Sequence, residues 1–238
     1  MATPDGRRGP MSGESGRPIV VINPNSTEAV TFGIDRSLDP LRMTGGPPIE
    51  CVTLEDGPPG IESQQAADSV ILPLCRLVRS RAETASAFVI ACFSDPGLHS
   101  AREATRKPVF GIAECSMLTA LTRGERFGII SILDNSVVRH RRLVRSMGLS
   151  QRFAADLAIG VGIQGLGDEE LVLDRMISTA RRLKQEHGSD VIIMGCAGMA
   201  RYWQRLQAAI GVPVIEPTRS AVTMAIGEVM VGGIQSSG

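Results

Sequence analysis

No sign of charge prevails in this chain: Lys and Arg together number 25, and so do Asp and Glu. Without an excess it has no extended field with which to hold nucleic acid or an anionic membrane, and neither is expected as a partner. No apolar stretch reaches the roughly 20 residues that cross a bilayer. The opening "MATPDGRRGPMSGESGRP" also lacks the apolar centre of a secretory signal. Cys51, Cys75, Cys92, Cys115 and Cys196 are odd in number and irregular in spacing, unlike a disulfide framework, so a reducing, cytoplasmic setting is expected. His99, His140 and His187 stand too far apart for a metal-ligand spacing and read as surface or packing residues. No phosphate loop is present, and "GVGIQG" from Gly160 has its glycines at the wrong spacing for a dinucleotide fingerprint. Neither metal nor cofactor is expected.

What remains is a chain of 238 residues, enough for one large domain or two of about 100 residues each. Residues 1–17 are Gly, Pro, Ser, Arg and acidic residues with almost nothing to bury, and read as a flexible leader. After them come short runs rich in Val and Ile: "PIVVIN" from Pro18, "AFVIAC" from Ala87, "PVFGIA" from Pro108, "RFGIIS" from Arg126, "DVIIMGC" from Asp190 and "PVIEP" from Pro213. Continuous apolar runs of this length read as strands of a parallel sheet covered on both faces. Helical spacing fills the gaps. Ala67, Val70, Ile71, Leu74, Leu77 and Val78 form one apolar stripe, which Pro73 should bend or interrupt. Leu171, Leu173, Met176, Ile177, Ala180 and Leu183 form another, with acids near its start and bases towards its end. Strands alternating with helices imply an α/β fold.

The order of features repeats. In each half a first strand is followed by a strand ending at a cysteine and then by a Pro-Val strand ending near an acid. The spacing is 22 residues from Cys92 to Glu114 and 20 from Cys196 to Glu216. Duplication is the economical reading. It gives a first α/β domain over 18–116, a second over 117–216, and a pseudo-twofold relation between two similar, mainly parallel sheets flanked by helices. Ligands of open α/β sheets bind beyond the carboxyl ends of the strands. Two halves packed with those edges together would bring Cys92 and Cys196 to opposite walls of one cleft.

A thiolate can take a proton from a carbon acid and a thiol can return one, so a cysteine on each face of a stereocentre inverts it. Backbone donors after each strand would stabilise the sulfur anion and a developing enolate oxygen, with Gly97 and Gly198 allowing close approach. A free cysteine is by default a small hydrophobe, and Cys51 and Cys75 are read that way. Cys115 adjoins Glu114 and stays open. Asp95 can orient a ligand or serve as an ordinary turn residue before Pro-Gly. Asn23, Asn25, Ser26 and Thr27 in "INPNST" offer polar groups to a ligand or caps to a helix. Ser131, at the matching strand end "ISI", joins the candidate binding residues, while Glu114 and Glu216 are read as supports.

The motifs "VINPNST", "GPPGIES", "ACFSDPGL", "PVFGIAE", "IIMGCAGM" and "VPVIEP" span nearly the whole structured chain. Together they resemble the Asp/Glu/hydantoin racemase superfamily, more closely its hydantoin and allantoin racemase branch. The resemblance implies cofactor-independent racemisation of a small molecule by Cys92 and Cys196. It places Asn25, Phe93, Ser94, Gly198 and Met199 near the substrate. It further implies a homo-oligomer, and a C-terminal helix over 217–238 that returns to the first domain. The turn "FSDPG" after Cys92 and "AGM" after Cys196 disfavour free aspartate or glutamate and suit a ring with an acidic C–H beside a carbonyl. "QQAAD" at 64–68 and Cys115 depart from the pattern and bear on the substrate. Other readings are a maleate-type isomerase, a malonate-type decarboxylase and a non-enzymatic metabolite sensor.

Overall fold

A computed structural model describes residues 16–232. The leader expected over 1–17 therefore lies almost wholly outside the described residues, as does the chain beyond Gly232. The first half contains β1 (Ile19–Asn23), α1 (Glu28–Ser37), β2 (Ile49–Thr53), α2 (Gln64–Ser69), α3 (Ile71–Arg81), β3 (Ala87–Ile90), α4 (Leu98–Ala104), β4 (Val109–Gly111) and α5 (Ile112–Leu121). The second contains β5 (Phe127–Ser131), α6 (Asp134–Ser146), β6 (Phe153–Ala158), α7 (Glu169–His187), β7 (Val191–Met194), α8 (Trp203–Ile210), β8 (Val214–Ile215) and α9 (Pro217–Gly232). Each half builds a four-stranded parallel sheet, in the orders β2-β1-β3-β4 and β6-β5-β7-β8.

The six apolar runs form strands, and two further strands carry no such run. β2 is "IECVT" and partly buried along its length, and β6 is the alanine-rich "FAADLA". Both are edge strands left more exposed than the opposite edges β4 and β8, so they need no continuous apolar sequence. The first stripe breaks between α2 and α3 at Val70, three residues before Pro73. Proline thus stands in the opening turn of α3, where its missing N–H costs nothing.

Alternation along the central strands divides the interior in three. Ile19 and Val21, Ala87 and Val89, Phe127 and Ile129, and Val191 and Ile193 point into one core shared by the two sheets. Helices α5 and α9 fill that core with Ile112, Met117, Val222 and Ile226, among others. The alternate residues, Val20, Ile22, Phe88 and Ile90, enter a core of the first half alone. Ile130, Ile192 and Met194 do the same in the second. Helix α9 packs on α5 and on β1, β3 and β4. Among the described residues no helix is long and apolar enough to cross a membrane.

A core common to both sheets couples their unfolding. Urea denaturation should follow one transition by fluorescence and circular dichroism alike. Ile129→Ala, in that core, should lower the midpoint through a loss of about 2–5 kcal/mol without splitting the transition; two separated transitions would show independent halves.

Candidate active site

Cys92 and Cys196 each stand two residues beyond a central strand, β3 and β7. The registers make them equivalent: Ile90 pairs with Ile22 of β1, and Met194 with Ile130 of β5. They line one cavity together with Asn25, Phe93, Ser94, Ala197 and Gly198. Its volume is about 30 Å³, room for little more than water.

Each sulfur meets backbone donors at its own turn. The Ser94 N–H donates to Cys92, and the N–H groups of Gly198 and Met199 donate to Cys196. Burial outweighs them: it pushes the thiol of Cys92 up to about 12 and that of Cys196 up to about 11. A charge on Cys196 would raise Cys92 further, so the site disfavours two simultaneous thiolates.

The turns themselves are held by buried carboxylates. Asp95 adopts φ 42°, in the left-handed region where Asp is tolerated, and its N–H donates to the Cys92 carbonyl. This conformation carries its side chain to the start of α5, where Oδ1 accepts from the Ala113 N–H at 3.0 Å and Oδ2 from the Glu114 N–H at 2.8 Å. Burial pushes its carboxyl up to about 7, against the pull of those two donors. Gly111 leaves the room: a Cβ there would lie 2.3 Å from the Asp95 carboxyl carbon. In the second half Glu216 accepts from the N–H groups of Thr218 at 3.2 Å and Arg219 at 2.7 Å, capping α9 in the same way. Its carboxyl is likewise raised by burial.

Register shows how the two caps correspond. Ile90 faces Gly111, while Ile193 faces Ile215, so the partner of Gly111 in the second half is Glu216. Asp95, three residues after Cys92, corresponds to Met199. Where one half carries Asp and Gly, the other carries Met and Glu. The pairing of Glu114 with Glu216 suggested by spacing is therefore off register; Glu114 lies in the first turn of α5 and forms an ion pair with Arg102 at 2.9 Å.

Several residues expected to touch a ligand act elsewhere. Ser26 donates its N–H to the Pro58 carbonyl and is not on the cavity wall. Asp95 faces α5, and the side chain of Met199 is fully buried, leaving only its N–H at Cys196. Ser131 is buried, its hydroxyl donating to Asp156 Oδ1 at 2.5 Å. Asn25 does reach the cavity; its Oδ1 accepts from Asn23 Nδ2 and the Thr27 N–H, while no described residue accepts from its Nδ2.

The sequence reading missed the face of α6. Ser136, Arg139 and His140, spaced three and four residues apart, all line the cavity. His140 is no surface residue: it is buried, and Nδ1 lies 2.8 Å from Asp156 Oδ2 and 3.0 Å from Ser131 Oγ. Its ring meets Phe93 edge-on, with centroids 4.9 Å apart. Arg139 donates to Ser94 Oγ, Ser136 Oγ and the carbonyls of Glu62 and Asn135, with no carboxylate among those acceptors. Glu62 closes the site from the first half, its Oε1 accepting from the Ile163 N–H at 2.7 Å. Among the described residues no group of three or more His, Cys, Asp or Glu is placed to hold a metal.

Two parallel-sheet halves that share a cavity, each lending a cysteine from the same strand end, define a pseudo-symmetric α/β protein with a two-thiol cleft. A family profile described as Asp/Glu/Hydantoin racemase matches residues 19–225. The chain is 35% identical over 210 residues to a hydantoin racemase of Rhizobium meliloti, covering 87% of this chain and 86% of that one. A hydantoin racemase of Paenarthrobacter aurescens is 33% identical over 217 residues, covering 90% and 92%. Among solved structures, the allantoin racemase from Klebsiella pneumoniae superposes with a TM-score of 0.87 at 33% identity, covering 91% and 89%. The chain belongs to the Asp/Glu/hydantoin racemase family.

Two outcomes follow from this geometry. Asp95→Ala should cost about 1–3 kcal/mol through the two unpaired donors it leaves, and Gly111→Ala should destabilise by collision with that carboxylate. The double variant should be no less stable than Asp95→Ala alone, and additive losses in denaturant would exclude the contact. The raised thiols act on stability in a definite direction. A thiol that keeps its proton in the fold while the unfolded chain loses it stabilises below about pH 8.5, and that contribution is lost as pH rises towards 11–12. Each thiol should steepen the fall by about 1.4 kcal/mol per pH unit in that window. Cys92→Ala and Cys196→Ala should each flatten the profile, and unchanged slopes would refute the raised values.

Proposed function

We propose that this protein racemises a carbon acid of the 5-substituted hydantoin or allantoin type, using Cys92 and Cys196 as the two acid–base groups and no cofactor. The observation that carries this reading is the placing of equivalent cysteines from the two halves on a single small cavity. The names of its hydantoin and allantoin racemase relatives support the substrate class.

In the forward direction one cysteine, as thiolate, removes the proton from the ring carbon beside the carbonyl and becomes a thiol. The electron pair left behind is delocalised onto the carbonyl oxygen as an enolate. The other cysteine delivers its proton to the opposite face and is left as thiolate. The product is the other enantiomer, and the protonation states of the two sulfurs have exchanged. Nδ2 of Asn25 and the N–H groups that serve the sulfurs supply the donors. Burial raises the energy of either thiolate and so sharpens its basicity towards a weakly acidic carbon.

A substituted ring needs more room than the roughly 30 Å³ of this cavity, so binding requires widening. Ile163 lines the cavity and both outer clefts, so it stands where they meet. It is latched by Glu62 Oε1 on its N–H, while Asn135 Nδ2 donates to the Glu62 carbonyl at 2.6 Å. Opening along this seam admits ligand without disturbing either cysteine turn.

Proton NMR in D2O on separate enantiomers of 5-benzylhydantoin and allantoin tests the reading. Wild type should exchange the ring C–H and lose optical activity together. Cys92→Ala and Cys196→Ala should each slow racemisation by about 100-fold or more. Any residual exchange should favour opposite enantiomers in the two variants, because each keeps a thiol on one face only. Full racemisation by either variant would overturn the two-base mechanism.

A further inference from the structure

Two side chains on the cavity wall have no task in proton transfer, and they differ in kind. His140 is tied by one nitrogen only. The Asp156 carboxylate at 2.8 Å accepts from Nδ1–H, and Ser131 locks that carboxylate through its own 2.5 Å bond. In the neutral ring this fixes the proton on Nδ1 and leaves Nε2 with an unshared pair. No described residue bonds to Nε2, and His140 lines the cavity. Phe93 holds the ring edge-on. The next residue along α6, Arg139, has five N–H donors, of which four are engaged by Ser94, Glu62, Asn135 and Ser136. One Nη2 donor is left, on a side chain that lines the same cavity as His140.

A free acceptor and a free donor on the wall of one cavity can together meet an amide edge, in which a ring N–H stands next to a ring C=O. Granting the racemase reading above, we propose that His140 Nε2 accepts from a ring N–H of the substrate while Arg139 donates to the adjacent carbonyl. The pair thereby restricts the enzyme to cyclic ureides that keep that N–H. Asp156 and Ser131 are positioning residues, acting through the tautomer they impose on His140. This assigns a use to a buried polar cluster that proton transfer leaves unexplained, and it names what the site reads besides the acidic carbon.

The test compares 5-benzylhydantoin with its N1-methyl and N3-methyl derivatives, followed by polarimetry and by C–H exchange. Wild type should lose about 100-fold or more in kcat/KM for one of the two methylated rings. Asp156→Asn presents an amide N–H to Nδ1 and moves the imidazole proton to Nε2, turning the acceptor into a donor. It should lower kcat/KM for the parent ring to near that of the disfavoured methyl derivative and leave the derivative itself unchanged. His140→Phe should collapse the same ratio; if it does not fold, the wild-type and Asp156→Asn measurements decide alone. Equal rates on all three rings by wild type would overturn the proposal while leaving the racemase reading intact. So would a methyl penalty that persists in Asp156→Asn, since it would then be steric. Absence of exchange on every hydantoin and on allantoin would instead strike the racemase reading itself.

Discussion

Two buried carboxylates set where the sulfurs stand. Asp95 and Glu216 each accept a pair of N–H groups at the start of a helix, α5 or α9, whose side chains fill the core shared by both sheets. A carboxylate without such donors could not be buried at tolerable cost. With them it ties the end of a strand to a helix that both halves pack against. The turn carrying Cys92 is thereby fixed to the common core, as is the strand beside the turn carrying Cys196. The cavity between the two sheets inherits the rigidity of their common interior.

The fold was legible wherever burial was complete. β1, β3, β5 and β7 are buried at every residue and announce themselves as runs of Val and Ile, whereas the partly exposed strands β2 and β6 do not. The cysteines were legible because they recur at equivalent places in the order of features, and the registers place them alike. Spacing misled over the acids, because one cap moved between strand and turn and shifted the apparent pairing by three residues. Nothing local marks His140: "VVRHRRLV" reads as a basic helix, and only its docking on β6 brings Asp156 to the ring. A partner supplied 16 residues later leaves no trace in a short window of sequence.

The bonds that close the cavity run between the halves rather than within either. The Glu62 carboxylate meets the Ile163 N–H, and its carbonyl accepts from Asn135 and Arg139. The loop before α2 thus holds both the entrance and the guanidinium on the wall. In the proposed reading, entry of a ligand along this seam would release Arg139 Nη1 from the Glu62 carbonyl, so opening and recognition would act on the same guanidinium.

The unequal origin of the two caps bears on how the halves can be recombined. In the first, the acid comes from the turn and the strand yields a glycine; in the second, the strand supplies the acid and the turn a methionine. A chimera joining the turn of one half to the last strand of the other would set two carboxylates at one helix end, or none. The halves keep a twofold symmetry in outline, yet their parts are not interchangeable. Any recombinant of the two halves must exchange turn and strand together.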